Sequence, residues 1–390
     1  MRTWGEWLLL IPTIGGSVFA ILCLLSVVRL RMRPAASPRY EFASWPPVTI
    51  LKPVCGLENN LRNNLRSACL QEYPEFQVVF SVQDKTDPAI ALLRELQQEF
   101  GAHRVAVVVD DTQTATNGKI KNLLGALPYA RYDILVISDS DVLLKPDYLK
   151  AIVAPLADPE VGCVCTLYKA VGARTWFEKL ELLTLNADNM ANIIFAHVTG
   201  VAKFCLGASS AVRRPNLKEI GGLEALASYL VEDYEMGRRI CVTGKRIAIV
   251  PYFIETMVSL RTPSEWWHHQ MYWDQNNRSV RPGAFFGTVM VRSVPFAFLF
   301  AAVRFDLIGL AVLAATLFVR LSTSAVILGW GFGDREGLRA LALLPVRDLA
   351  ALVSWFLAFT KRTVVWRGTA FTLTRDGHMV PWKGNSGRRA

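Results

Sequence analysis

Apolar residues fall into three regimes along the chain. From Trp7 to Val28 runs an apolar segment with no charge between Glu6 and Arg29. It is long enough for the roughly 20 residues that a bilayer-spanning helix needs. From Pro46 to about Thr262, short apolar runs of strand length alternate with stretches of helical period, and three further apolar stretches follow near 286–303, 306–329 and 342–360. The pattern predicts a soluble middle held between membrane ends. Within that middle, Val48–Lys52, Phe76–Val82, Val105–Val109 and Ile134–Ser138 read as strands. Helices are predicted over Leu57–Gln71, Pro88–Phe100 and Lys119–Leu127. Strands alternating with helices predict an α/β domain with a mainly parallel sheet.

Charge refines the reading of the ends. Arg29, Arg31 and Arg33 follow the first segment at once, and Pro34 and Pro38 end it. By the positive-inside rule the residues after Arg29 face the cytoplasm. A cleaved signal peptide would have a shorter apolar region and its positive charges first. The C-terminal stretches are interrupted by Arg292, Arg320 and the Arg347–Asp348 pair. A charge at mid-bilayer costs roughly 2.5–3.5 kcal/mol on insertion scales, so such residues pair, snorkel or face protein. The tail after Thr360 is basic (Lys361, Arg362, Arg367, Arg375, Lys383, Arg388, Arg389) and reads as cytoplasmic. An outside N-terminus and an inside C-terminus require an odd number of crossings. One C-terminal stretch is therefore expected to be interfacial or re-entrant.

Composition removes some function classes. Net charge is +10, from 43 basic against 33 acidic residues. The basic residues cluster beside apolar segments, which suits an anionic membrane leaflet better than a nucleic acid. The 7 cysteines form no Cys-x-x-Cys pair and read as buried, reduced thiols, with Cys163 and Cys165 alternating along a strand. The 5 histidines have no zinc spacing.

The sharpest motif is Ile134-Leu-Val-Ile-Ser-Asp139-Ser-Asp141, directly after a predicted strand. In extended backbone the carboxylates at i and i+2 face one side. So placed they suit a hard divalent cation that bridges phosphate oxygens. A capped turn before the helix near Pro146 explains the same residues without a metal. Asp84, in Val82-Gln-Asp84-Lys-Thr-Asp87-Pro88, follows another strand, where an acid can hold the base or ribose of a nucleotide. Asp87 before Pro88 reads as a helix N-cap. Lys119, in Asn117-Gly-Lys119-Ile-Lys121-Asn122, sets an ammonium against phosphates or simply starts a basic helix. The acids of Leu230-Val-Glu232-Asp233-Tyr-Glu235 read, from the residues alone, as an acidic helix N-terminus. Trp266-Trp-His-His-Gln-Met-Tyr-Trp273 is either an interfacial aromatic belt or a lid over a site.

Taken in order, LKPVCGLENNL, FSVQDKTDP, TNGKIKNL, ISDSDV, LVEDYEMG and HHQMYW resemble the family-2-type glycosyltransferases. The resemblance is greatest to the branch of ceramide glucosyltransferases and bacterial hopanoid-associated glycosyltransferases. It covers about Pro47 to Pro282 and extends to the flanking membrane segments. It implies a GT-A fold and inverting transfer of a hexose or N-acetylhexosamine from a UDP-sugar to a ceramide-like or hopanoid-like lipid hydroxyl. Carried over, Asp84 contacts the uridine, Asp139 and Asp141 hold Mg²⁺ or Mn²⁺ on the diphosphate, and Asp233 is the general base. Lys119, Gln270 and Trp273 join the donor site. One position departs from the family pattern Gln/Arg-x-x-Arg-Trp: Tyr272 stands where the arginine is expected, and a phenol is no substitute for a guanidinium clamp. Arg278 and Arg281 are candidates for the missing cation.

The expected organisation is an N-terminal anchor over 1–33 and a cytoplasmic catalytic domain over 46–262. An interfacial segment at 263–285, membrane segments at 286–360 and a basic tail at 361–390 complete it. The expected setting is a bacterial inner membrane, with the bilayer itself, a UDP-sugar and a lipid acceptor as partners. Two rival readings are a processive polysaccharide synthase, which needs more spans, and a non-catalytic glycosyltransferase-like scaffold, motivated by Tyr272.

Overall fold

The computed structural model describes residues 4–32, 41–360, 363–366, 369–374 and 376–382. Arg33, Pro34 and Pro38, and the basic residues of the tail from Lys361 to Arg389, lie outside the described residues. The chain forms two compact units. One gathers 34–171 and 201–259; the other gathers 1–33, 172–200 and 260–390.

The first unit is built on an eight-stranded sheet. Its strands are β1 (Val48–Pro53), β2 (Phe76–Val82), β3 (Val105–Val109), β4 (Ile134–Ser138), β5 (Val142–Leu143), β6 (Val161–Val171), β7 (Ser209–Arg213) and β8 (Arg246–Met257), in the order β3-β2-β1-β4-β7-β6-β8-β5. The first four are parallel, with Ile50 opposite Val78 on one side and Val136 on the other. Every residue of β1, β2 and β4 is buried. That is why their apolar runs are continuous rather than alternating, as expected for strands covered on both faces. Helices Leu61–Cys69, Ala89–Phe100 and Gly118–Ala126 supply the connections between them. The second half of the sheet is mixed: β7 runs antiparallel to β4 and β6, whereas β6 and β8 are parallel to each other.

Local chemistry sets the helix starts. The side chain of Asn117 accepts the N–H groups of Lys119 and Ile120, capping Gly118–Ala126. Asp87 accepts from Ala89 N at 2.8 Å at the start of its helix and also from Gly56 N at 2.8 Å. Its role is thus structural, tying the β1 loop to the helix after β2.

The second unit is helical apart from a small antiparallel sheet of Thr363–Trp366, Thr369–Leu373 and Met379–Pro381. Three helical segments, Trp4–Met32, Leu307–Gly331 and Arg335–Thr360, are long and apolar enough to cross a membrane. The stretch expected near 286–303 is instead two helices, Pro282–Val291 and Ser293–Val303, bent by 52° at their junction. A bend of that size is either a broken span or a re-entrant loop.

Close packing in the sheet unit makes one glycine diagnostic. A Cβ at Gly237 would stand 2.4 Å from Cys205 N and 2.7 Å from Phe204 C, both backbone atoms that cannot swing away. Overpacking of this kind costs about 1–3 kcal/mol. Gly237→Val is therefore expected to lower the melting temperature of the purified protein by several degrees, whereas Gly244→Asn, which meets nothing within 4 Å, should lower it only by the strain of its left-handed backbone at φ +88°.

Candidate active site

The sheet unit brings Lys119, Asp139, Asp141 and Asp233 together. Asp139 and Asp141 follow β4 at the carboxyl edge of the parallel strands, where ligands bind in open α/β sheets. Lys119 comes from the first turn of helix Gly118–Ala126. Its Nζ lies 2.8 Å from Asp139 Oδ1 and 3.1 Å from Glu232 Oε1, and donates to Gly207 O at 2.9 Å. Burial opposes its charge, but Asp139 and Glu232 outweigh that and hold its pKa above the ordinary lysine value.

A second lysine, unrecognised in the sequence, supports the same loop from beneath. Lys52 in β1 is wholly buried. Its Nζ donates to Asp139 O at 2.7 Å and Val142 O at 3.2 Å, pinning both ends of the Asp-Ser-Asp turn. Burial lowers its pKa to about 8, against the pull of Asp141 and Asp139. Between the acids, Ser140 Oγ donates to Glu58 Oε2 at 2.7 Å. Asn117 Nδ2 reaches Glu232 Oε2 at 3.1 Å. Lys52, Glu58 and Glu232 lie within motifs read from the sequence but have no role in a site assigned there. Lys52 lies inside an apolar strand and Glu232 beside a more familiar acid.

The carboxylates are held in an unfavourable state. Burial, then the charges of Asp139 and Glu58, push Asp141 up to about 7. Burial also raises Asp139, although Lys119 opposes it. Asp233, second residue of helix Glu232–Val242, is raised to about 7 by burial and by Glu232, with Lys119 opposing. Its Oδ1 accepts the N–H of Tyr234 at 2.8 Å. A Cβ on Gly207 would come within 2.9 Å of Asp233 Oδ2, so a larger residue there would push this carboxylate from its position. A recess of about 290 Å³ lies beside Lys119, Gly207 and Asp233.

Buried acids that repel one another form a donor set a hard cation would relieve. Asp139 and Asp141 offer carboxylate oxygens, the ligand type that Mg²⁺ and Mn²⁺ take. Among the described residues the tightest cluster of potential ligand atoms is a different one. Cys163 and Cys165 of β6 and Cys205 place their sulfurs within 4.8 Å of one another. They are fully buried free thiols in the core of the same unit.

The remaining candidates make no hydrogen bond or ion pair with this cluster among the described residues. Asp84 is exposed at the end of β2, two strands from β4 and thus roughly 10 Å across the sheet. Its Oδ1 accepts from Thr86 N and Thr86 Oγ1, both at 2.7 Å. Those bonds lower its pKa. Gln270 and Trp273 belong to the helical unit, on helix Pro263–Val280. Gln270 is buried; its amide donates to Glu181 Oε2 at 2.5 Å and accepts from Thr184 Oγ1 at 3.3 Å. Trp273 Nε1 donates to His269 Nε2 at 3.1 Å, and Tyr272 stacks on the same imidazole at 7°. A cation does reach this group, from an unexpected helix: Arg347 Nε donates to Thr184 Oγ1 at 3.1 Å.

The sequence comparisons now give these elements a family. The profile described as glycosyl transferase family 21 matches residues 8–379. The chain belongs to that family. Among its relatives, ceramide glucosyltransferase 1 of Caenorhabditis elegans is 26% identical over 60% of this chain and 49% of its own length. Ceramide glucosyltransferase 3 of the same organism is 22% identical over 88% of this chain and 76% of its own length. The chain thus spans about half of the first relative and three quarters of the second. A solved mannosyltransferase from Pyrobaculum calidifontis, in complex with GDP-Man and Mn²⁺, shares the fold. The match has a TM-score of 0.55 at 20% identity, covering 90% of this chain and 98% of that one. The family-21 chain therefore has a GT-A-type α/β sheet with apolar helices at both ends.

Asp141 gives a test of the electrostatics. Its ordinary pKa of 3.8 is raised to about 7 in the folded protein. Stability is thus full below the unfolded value and is lost as pH rises through 7. In EDTA, Asp141→Asn should raise the melting temperature, and by more at pH 8 than at pH 4. A gain independent of pH would show that Asp141 is not held against its charge.

Proposed function

We propose that this chain transfers a hexose or N-acetylhexosamine from a UDP-sugar to the hydroxyl of a membrane lipid of ceramide or hopanoid type. The reaction inverts the anomeric carbon and takes place at the cytoplasmic leaflet. The observation that carries this reading is the convergence of Asp139 and Asp233 on Lys119 at the carboxyl edge of the sheet, with Asp141 beside Asp139. The names of the relatives favour ceramide as the acceptor class. The fold neighbour's GDP-Man and Mn²⁺ favour a nucleotide-sugar donor with a divalent cation. The basic run after the N-terminal helix favours a cytoplasmic sheet unit.

Each residue then has a task. Asp233 takes the proton of the lipid hydroxyl as its oxygen bonds to the anomeric carbon and the bond to the UDP oxygen breaks. A carboxyl poised near 7 suits general-base work at neutral pH. Asp139 and Asp141 would hold Mg²⁺ or Mn²⁺, which supplies positive charge for the leaving diphosphate. Lys119 orients Asp139 and adds a fixed positive charge beside it. Lys52 holds the turn so that neither acid has to reorganise during the reaction. Asp84 contacts the uridine. A single displacement needs no enzyme nucleophile.

The purified protein, given Mn²⁺, a UDP-hexose and ceramide in mixed micelles, should release UDP and form a glycolipid. Asp233→Asn should lower kcat by about 10²–10⁴-fold. The wild-type rate should rise with pH through an apparent pKa near 7, because the base must be ionised. Full activity of Asp233→Asn would remove it from catalysis, and UDP release with no acceptor dependence would remove the lipid-transfer reading.

A further inference from the structure

The helical unit contains a polar centre that the transfer chemistry leaves unused. Arg320, inside the apolar helix Leu307–Val326, bonds Asp348 at 2.9 Å and lies 3.2 Å from Asp188. Arg347 pairs with the same two acids at 2.8 and 3.1 Å. These four side chains form a closed, charge-neutral set, the usual way charges are kept among apolar helices. A fifth charge is not matched in this way.

Arg292 stands at the junction where Pro282–Val291 and Ser293–Val303 meet at 52°. Its Nε is buried and has no hydrogen-bond partner among the described residues. Asp274 provides the strongest opposite charge on it, but no direct ion pair joins the two among the described residues, and Asp274 Oδ2 accepts from Ser354 Oγ at 2.6 Å. Broken helices at membrane depth are tolerated where the interrupted backbone is packed or lines a cavity. Both hold here. A Cβ on Gly16 would lie 2.5 Å from Ser293 N, so the N-terminal helix packs on the break backbone to backbone. Beside that contact opens a recess of about 510 Å³. Phe19 and Ile327 line its apolar side; Arg292, Arg320 and Arg347 line its charged side together with Asp188 and Asp348, whose charges are met by Arg320 and Arg347, so that Arg292 carries the excess positive charge of the lining.

We propose that this recess binds the anionic headgroup oxygen of a membrane phospholipid, with Arg292 as its charge partner. The four-membered Arg–Asp set is already saturated, which leaves Arg292 to take a new acceptor. A buried guanidinium gains most from an anionic oxygen, because charge-assisted bonds are about twice as strong as neutral ones. The helices that carry the site expose Leu8, Ile11, Val18, Leu25 and Phe318, the surface an acyl chain would lie against. An amphiphile satisfies both sides of the recess, whereas a free anion satisfies only one.

The test uses the full-length protein in mild detergent, incubated with equal amounts of phosphatidylglycerol and phosphatidylcholine and read by native mass spectrometry and thermal melting. Wild type is expected to retain phosphatidylglycerol selectively and to melt at a higher temperature with it. Arg292→Gln should lower that retention roughly tenfold or more, and Arg292→Lys should keep part of it. Equal retention of the two lipids, or undiminished retention in Arg292→Gln, overturns the proposal. An equal melting shift from inorganic phosphate overturns the lipid assignment. If Arg292→Gln does not fold, lipid selectivity in the wild type together with the retention of Arg292→Lys still decides it.

Discussion

Lys119 and Lys52 allow acids to crowd one edge of the sheet. Asp139, Asp141, Glu58, Glu232 and Asp233 would repel one another in a largely buried space, and Asp139, Asp141 and Asp233 are pushed toward their neutral forms. The Lys119 ammonium ties Asp139 to Glu232, and so joins the end of β4 to helix Glu232–Val242. The Lys52 ammonium takes the two carbonyls that bracket the Asp-Ser-Asp turn. One lysine works on side chains and the other on backbone. Together they hold the acids in a strained but fixed arrangement, which is what a preorganised charge site requires.

Much of this was legible because burial writes itself into the sequence. The parallel strands β1, β2 and β4 are covered on both faces, so their apolar runs are unbroken, and the observed strands fall within a residue of the predicted ones. The three acids fell after strands or at a helix start, where the order of motifs pointed. β7 was not legible. Ser209-Ser-Ala-Val-Arg213 is polar at its start, and its place between β4 and β6 depends on long-range pairing that no local period records. Lys52 was hidden for a related reason. A lysine within an apolar strand reads as an edge charge until the turn it satisfies, 87 residues away, is seen.

The membrane-type helices follow the same logic at lower dielectric. The interruptions at Arg320 and Arg347–Asp348 looked like defects in apolar stretches. In the structure they are two arginines and two acids sharing one another's charges. From Arg347 a line of polar contacts runs through Thr184 to Gln270, and from Gln270 through Glu181 to His269. The phenol of Tyr272 thus replaces the family arginine in sequence, while a guanidinium from another helix reaches the Gln270 group through one hydroxyl. Arginine at position 272 was the expectation of the family pattern.

The central claim is that the Asp139–Asp141 turn is a divalent-cation site for a nucleotide-sugar diphosphate. The most direct measurement is electron paramagnetic resonance of Mn²⁺ titrated into purified protein with and without UDP. The account predicts one bound Mn²⁺ per chain, tightened by UDP, and its loss in Asp139→Asn/Asp141→Asn with the fold retained. Undiminished Mn²⁺ binding in that double variant would contradict it.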